Sequence, residues 1–360
     1  MMPLLIRVLR DPGIVQGLDG AGWDLLLRQA DAANLDACLL VLLEDAGLLD
    51  TVPAAPRAHL EWTRVGAAGH ARAARYEVRQ IGRALDGLGL PLILLKGAAY
   101  AMAGLDAGRG RLFSDIDILV PKERLPEVEA ALMMHGWITT QHDAYDQRYY
   151  RQWMHELPPM QHARRGNSID VHHAILPETA PVRPDPARLR ASARPIPGAP
   201  HLGTLSPVDM VLHSAVHLFF DGEFDKGLRD LVDLHRLLTQ FGKEPGFWDA
   251  LPMRARELEL GRPLFYALRY CPRLLGTVVP PAVQAAVAPE GPNVALLWLM
   301  DRLFGRALLP LHASCADAFS DAARFVLYVR GNWLRMPPLL LARHLFHKAF
   351  LSKKNDTQAA

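Results

Sequence analysis

Apolar residues follow a helical period through most of the N-terminal quarter of the chain. Between residues 21 and 49 they fall at Trp23, Leu26, Leu27, Leu35, Leu39 and Leu42, a spacing that places them on one helix face. A Pro-bearing stretch over 51–56 ends this run. A longer amphipathic helix is predicted over 57–88, closed by Gly87 and Gly89. Pro91 then opens a different pattern, in which short apolar runs of strand length alternate with helical segments. Strands are predicted over 92–95, 116–120 and 137–141, helices over 98–104 and 122–135, and two further strands near 156–162 and 168–172. Such alternation predicts an α/β core, a small mixed sheet with flanking helices, between N-terminal and C-terminal helical regions.

Eight prolines punctuate the chain from Pro177 to Pro207, so 177–206 reads as an irregular connection or extended arm. Beyond it the pattern is helical again. Ser206-Pro207-Val208-Asp209 has the form of a helix start, with Ser206 as cap, Pro207 in the first turn and Asp209 against the positive end of the helix dipole. The expected division is an N-terminal helical region at 1–89, an α/β core at 90–176, the Pro-rich connection at 177–206, a C-terminal helical domain at 207–352 and a polar tail at 353–360.

Length and composition set outer bounds. A chain of 360 residues, 50% of them apolar, can bury a sizeable core in two or three subdomains. Its net charge of +2 lacks the basic excess of a protein that binds long DNA or RNA, so a polymerase on such a template is disfavoured. Cys38, Cys271 and Cys315 are too few and scattered for a disulfide framework or a zinc site, which fits a reducing, cytoplasmic setting. The first twenty residues carry Arg7, Arg10 and Asp11 and do not read as a secretory signal, and charged residues interrupt every apolar run before membrane-spanning length.

The chemistry concentrates in Ser114-Asp115-Ile116-Asp117-Ile118-Leu119-Val120. Alternate strand residues share a face, so Asp115 and Asp117 point together while Ile116 and Ile118 enter the core. Two carboxylates side by side repel unless a cation lies between them, and hard oxygen donors suit Mg2+ or Mn2+. A third acid, Asp170, lies on the strand Ser168-Ile169-Asp170-Val171-His172. The set predicts metal-assisted phosphoryl chemistry.

Lys96-Gly97, Arg111, Asp115-Ile-Asp117-Ile-Leu-Val and Ile169-Asp170-Val-His172 together resemble the uncharacterised bacterial nucleotidyltransferase family of the DNA polymerase beta superfamily. The resemblance extends to the helical segments before residue 90, the region from His213 to Asp233 and the basic C-terminus. One departure is plain: the superfamily's usual Gly-Ser is Gly97-Ala98 here, with a longer gap to Asp115, so a hydroxyl that would help hold a nucleotide phosphate is missing.

The resemblance implies nucleotidyl transfer from a nucleoside triphosphate to a hydroxyl of a small molecule or protein, with two magnesium or manganese ions stabilising the attacking and leaving oxygens. Asp115 and Asp117 would bridge the metals, and Asp170 would complete the acceptor-side ion and take the hydroxyl proton. Lys96, Gly97, Ala98, Arg111 and Ser114 form the expected nucleotide-binding set. Gly97 would free the backbone to turn from strand into helix, with main-chain N–H groups aimed at the triphosphate. Arg111 offers a planar fork that matches phosphate oxygens or a carboxylate of the cluster. Lys96 is either a phosphate cation or a solvated strand end, and Ser114 either bonds a phosphate or, the favoured reading, caps the strand.

The histidines carry a competing reading. His213 and His217 stand one helical turn apart, and with Asp230, Asp233 and His235 on the next helix they invite comparison with metal-dependent phosphohydrolases, Arg229 being assigned to the acceptor side. Their apolar flanks favour partly buried or acceptor-side histidines instead, a role shared with His172, which by alternation lies beside Asp170. The segment 324–354 has seven basic residues and no acid, with Trp333, Phe346 and Phe350 and a break at Pro337-Pro338. It either packs on the core or makes a peripheral contact with a partner or the inner face of a membrane. A catalytically inactive nucleotide-binding or regulatory protein of the same fold is the remaining alternative.

Overall fold

The computed structural model describes residues 2–140 and 143–337. Four helices come first: α1 (Leu4–Arg10), α2 (Gly20–Asp31), α3 (Asp36–Asp45) and the long α4 (Ala54–Leu85). The single helix suggested over 21–49 is thus two, parted where Asn34 takes a left-handed φ of 54°. The α/β portion follows as β1 (Leu92–Leu94), α5 (Lys96–Met102), β2 (Asp115–Leu119), α6 (Leu125–Met134), β3 (Trp137–Thr139), α7 (Ala144–Trp153), β4 (Met160–His162) and β5 (Ser168–His172). Next come α8 (Pro186–Ala191), β6 (Arg194–Ile196) and β7 (Ala199–Thr204). The remainder is helical: α9 (Pro207–Phe220), α10 (Gly227–Phe241), α11 (Phe247–Glu257), α12 (Gly261–Tyr270), α13 (Pro281–Val287), α14 (Val294–Ala307) and α15 (Ser320–Arg335).

The strands form one mixed seven-stranded sheet in the order β3-β4-β5-β2-β1-β7-β6. β2 lies between a parallel β5 and an antiparallel β1, and β7 joins the far side of β1 in parallel. Ile93, Leu94, Ile116, Ile118, Leu119, Ile169 and Val171 are all buried, so both sheet faces are covered at its centre. This corrects the reading of 177–206 as irregular. The prolines flank or begin short elements, Pro186 opens α8, and Pro195 sits on the edge strand β6, where a residue without an N–H disturbs the ladder least.

Two buried ion pairs tie helices to this frame. Glu77 on α4 receives Nε and Nη2 of Arg165 at 2.6 and 2.9 Å and Asn167 Nδ2 at 2.9 Å, which fixes the β4–β5 turn against α4. Ser206 caps α9, accepting the Asp209 N–H at 3.3 Å, yet Asp209 does more than face the dipole. It is fully buried and takes Arg254 Nε at 2.7 Å, joining α9 to α11. Arg330 and Arg335 of α15 reach the end of α9, donating to Phe219 O at 2.7 Å and to Asp221 Oδ1 at 3.0 Å. The first part of the basic C-terminal segment therefore packs on the core. Its second part, with Arg343, Lys348, Phe346, Phe350 and the polar tail, lies outside the described residues. No helix among the described residues is long and apolar enough to cross a membrane.

Asp36, the first residue of α3, has its Oδ1 shielded from solvent without a hydrogen bond, and His59 Nε2 is 3.9 Å away. Burial, then the nearby Asp31, pushes its pKa up to about 6. The folded form thus holds this proton more tightly than the unfolded chain. The resulting stability is complete below the unfolded value near 4 and is lost as pH rises through about 6. Asp36→Asn is expected to stabilise the fold at pH 7.5 by on the order of 1 kcal/mol, since water and the helix dipole relieve part of the penalty, and to give no gain at pH 4. Urea midpoints at the two pH values measure it.

Candidate active site

β2 and β5 run parallel in a register that sets Asp115 beside Ser168 and Asp117 beside Asp170. Neighbouring strand residues share a face and so do alternate ones, which brings the three acids to one side of the sheet. They are not equally exposed. Asp117 is buried at the floor, and its Oδ1 accepts Lys96 Nζ at 2.9 Å while His172 Nε2 lies 3.0 Å away. Burial opposes its charge, but Lys96 and then His172 hold the carboxyl well below the usual range. His172 is bracketed, with Glu156 Oε2 3.3 Å from its Nδ1. Burial favours the neutral ring, and Glu156 and Asp117 outweigh it and raise its pKa.

Asp170 is the least satisfied of the three. No donor among the described residues reaches its carboxyl, and burial, then Asp117 and Glu156, pushes its pKa up to about 7. Asp115 is half-buried and, among the described residues, bonds only its neighbour, Ser114 Oγ, at 2.9 Å. Around them stand Glu156, Asp221, Glu223 and Asp225. Acids that outnumber the cations, together with an Asp170 carboxyl and an Asp117 Oδ2 that no donor among the described residues reaches, make a donor set of hard oxygens. That set fits a divalent ion of the magnesium kind.

The strand-to-helix turn departs from expectation in a telling way. α5 begins at Lys96, and the strained residue is Lys96 itself, with φ 44°, whereas Gly97 has no positive φ. The turn aims the Lys96 ammonium at Asp117, so Lys96 is no solvated strand end. Gly97 matters for a different reason: a Cβ there would run into Arg111 Nη1, so the guanidinium lies directly over it. Arg111 Nε donates to Asp233 Oδ2 at 2.8 Å, both side chains nearly excluded from water at 10% and 7% exposure. Burial disfavours the Arg111 charge, and Asp233 more than restores it. Ala98 is buried within α5, one residue further from the cleft surface.

The two helices that carry the histidines pack on one another beside the acids. His217 Nδ1 pairs with Asp221 Oδ2 at 2.9 Å and its Nε2 stands 3.8 Å from Asp230 Oδ2, while Arg229 Nη2 holds Asp230 Oδ1 at 2.7 Å. His213 is buried, and burial, then Lys96, keeps it neutral. Among the described residues these groups do not gather three donors on one point, which is what a phosphohydrolase-type metal centre requires.

Two adjoining cavities open over the acids. The smaller, about 300 Å3, is lined by Asp115, Asp117, Lys96, Arg111, Lys226 and Arg229. The other, about 390 Å3, takes in Asp170, His172, His155, Glu156, Tyr149 and Arg335. Sequence reasoning passed over Lys226, His155, Glu156, Asp221 and Arg335. Lys226 immediately precedes α10 in a run with Asp225 and Arg229, the signal that was available; its side chain has no hydrogen bond or ion pair among the described residues. A larger cavity of about 960 Å3 beside α12 and α13 holds Arg269 and Asp301, but these are already paired at 2.6 Å.

A family model described as an uncharacterised nucleotidyltransferase matches residues 19–276, well over half of the chain. No curated protein and no solved structure matches it. The match contains the whole sheet, α5, α9 and α10, and every residue of the two cavities except Tyr328, Asn332 and Arg335 of α15. With the paired acids of β2 and β5 inside those bounds, the chain belongs to the uncharacterised nucleotidyltransferase family.

Proposed function

We propose that this protein transfers a nucleotidyl group from a nucleoside triphosphate to a hydroxyl of a small molecule or protein, on a sheet of the DNA polymerase beta superfamily type. The observation that carries the reading is the placement of Asp115, Asp117 and Asp170 on paired parallel strands beneath a cleft that also presents Lys96, Lys226 and Arg229. Two magnesium or manganese ions, when bound by these acids, would neutralise charge at the α-phosphate and on the entering and leaving oxygens.

The chain's own groups then divide the work. The acceptor oxygen attacks the α-phosphorus, the bond to the bridging oxygen breaks and pyrophosphate departs, so one proton must leave the acceptor. Asp170 Oδ, which no donor among the described residues reaches and which lines the larger cavity, takes it. Lys96 and His172 grip Asp117 Oδ1, and Oδ2 would serve a bound ion. The smaller cavity receives the triphosphate, with Lys226 and Arg229 as its cations, and the larger receives the acceptor beside Asp170, His172 and His213.

Incubation of the protein with labelled nucleoside triphosphates, Mg2+ and cell extract tests the reading: label should become attached to an acceptor, and none should attach without the protein. Lys226→Ala removes an unpaired cation, so the fold should survive while KM for the nucleotide rises roughly tenfold, the loss of one charge-assisted contact. The missing hydroxyl at Ala98 supports a second reading, a nucleotide-binding regulator, whose signature is nucleotide affinity with no transfer to any acceptor.

A further inference from the structure

We infer that His155, Glu156 and His172 form a second metal site, distinct from the three aspartates, that takes a borderline transition-metal ion with Zn2+ as its type. One donor atom from each residue lies within 4.8 Å of the other two. Glu156 Oε2 and His172 Nδ1 are 3.3 Å apart, the separation that tetrahedral ligands adopt around an ion with bonds of about 2 Å. His155 Nδ1 is shielded from solvent and has no hydrogen-bond partner among the described residues, a state that a bound cation relieves. The imidazoles of His155 and His172 are 5.3 Å apart between centroids and inclined by 35°.

The backbone sets this triad at the end of β5, the strand that carries Asp170. Glu156 bridges His172 across an antiparallel contact, the His173 N–H donates to His155 O at 2.8 Å, and the Leu157 N–H to Val171 O at 2.9 Å. These two bonds hold residues 155–157 along the end of β5, so the donors are positioned before any ion arrives. The outer contact is also present: His172 turns its Nε2 to Asp117 Oδ1 at 3.0 Å, the carboxylate–histidine–metal relay that orients ligating imidazoles. The cavity of about 390 Å3 leaves a fourth position open to water or a substrate oxygen.

Donor chemistry separates the two sites. Two imidazoles and one carboxylate suit Zn2+ and its neighbours, whereas the all-oxygen aspartate set suits Mg2+. The inference does not depend on the transfer reading, because binding is measured without turnover.

Tag-free full-length protein, stripped with a chelator, would be titrated with Zn2+ against a chromophoric competitor in millimolar Mg2+, and separately with Co2+. One equivalent of Zn2+ is expected, with the intense visible bands of tetrahedral Co2+. His155→Ala and Glu156→Gln should each weaken binding tenfold or more, and His155→Ala orphans no partner, so its circular dichroism should stay wild type. Asp115→Asn should change Zn2+ affinity less than twofold. Substoichiometric binding in Mg2+, an unchanged His155→Ala, or an equal loss in Asp115→Asn would overturn the site.

Discussion

Asp115→Asn is expected to lower nucleotidyl transfer at least about 100-fold while leaving the unfolding midpoint close to that of the wild type. Electrostatic groups aimed at developing charge account for factors of about 100 to 1000 each when removed singly. Asp115 bonds only Ser114 and is half-buried, so its amide version strands no buried charge. Asp117→Asn behaves differently. It should abolish transfer as fully, but it also strips the carboxylate from a buried lysine and histidine, and the fold should weaken with it. Turnover and urea midpoints measured on both variants separate the two roles; equal stability in both would show that the Lys96–Asp117–His172 cluster holds nothing together.

Arg111→Ala carries the largest expected effect on stability. It leaves Asp233 buried without its partner, a change that typically lowers stability by about 3–5 kcal/mol. The double variant Arg111→Met with Asp233→Leu should recover most of that loss, because two apolar side chains of similar volume need no pairing. Nucleotide affinity should remain impaired in the double variant, since the guanidinium also lines the smaller cavity. Denaturation curves and nucleotide titration distinguish these outcomes. An unchanged midpoint in Arg111→Ala would contradict the assignment of the ion pair as a support of the cleft.

Strand alternation made much of the cleft legible. Ile116 and Ile118 against Asp115 and Asp117, and Ile169 and Val171 against Asp170, are local patterns with a period of two, and they place the acids without knowledge of the rest. What stayed hidden is non-local. Nothing near Gly97 in the chain announces that Arg111, fourteen residues on, lies over it, or that the arginine is claimed by Asp233 on a distant helix. Likewise Glu156 reads only as the start of a strand over 156–162 and His155 carries no expectation, and it is the antiparallel contact with β5 that brings them to His172. The prolines between Pro177 and Pro207 misled for a related reason: Pro195 sits on the edge strand β6, and Pro200 falls near the start of β7 at the irregular register between Ala199 and Gly203, so neither breaks the regular ladder.

Asp115, Asp117 and Asp170 are proposed to move the α-phosphoryl group of a nucleotide. That role is tested most directly by supplying the same triphosphate labelled once at the α-phosphate and once at the γ-phosphate, with Mg2+ and cell extract, to the wild type and to Asp115→Asn. The account predicts that the wild type transfers the α-label to an acceptor and releases the γ-label as pyrophosphate, and that Asp115→Asn does neither. Transfer of the γ-label, or α-transfer that survives in Asp115→Asn, would contradict it.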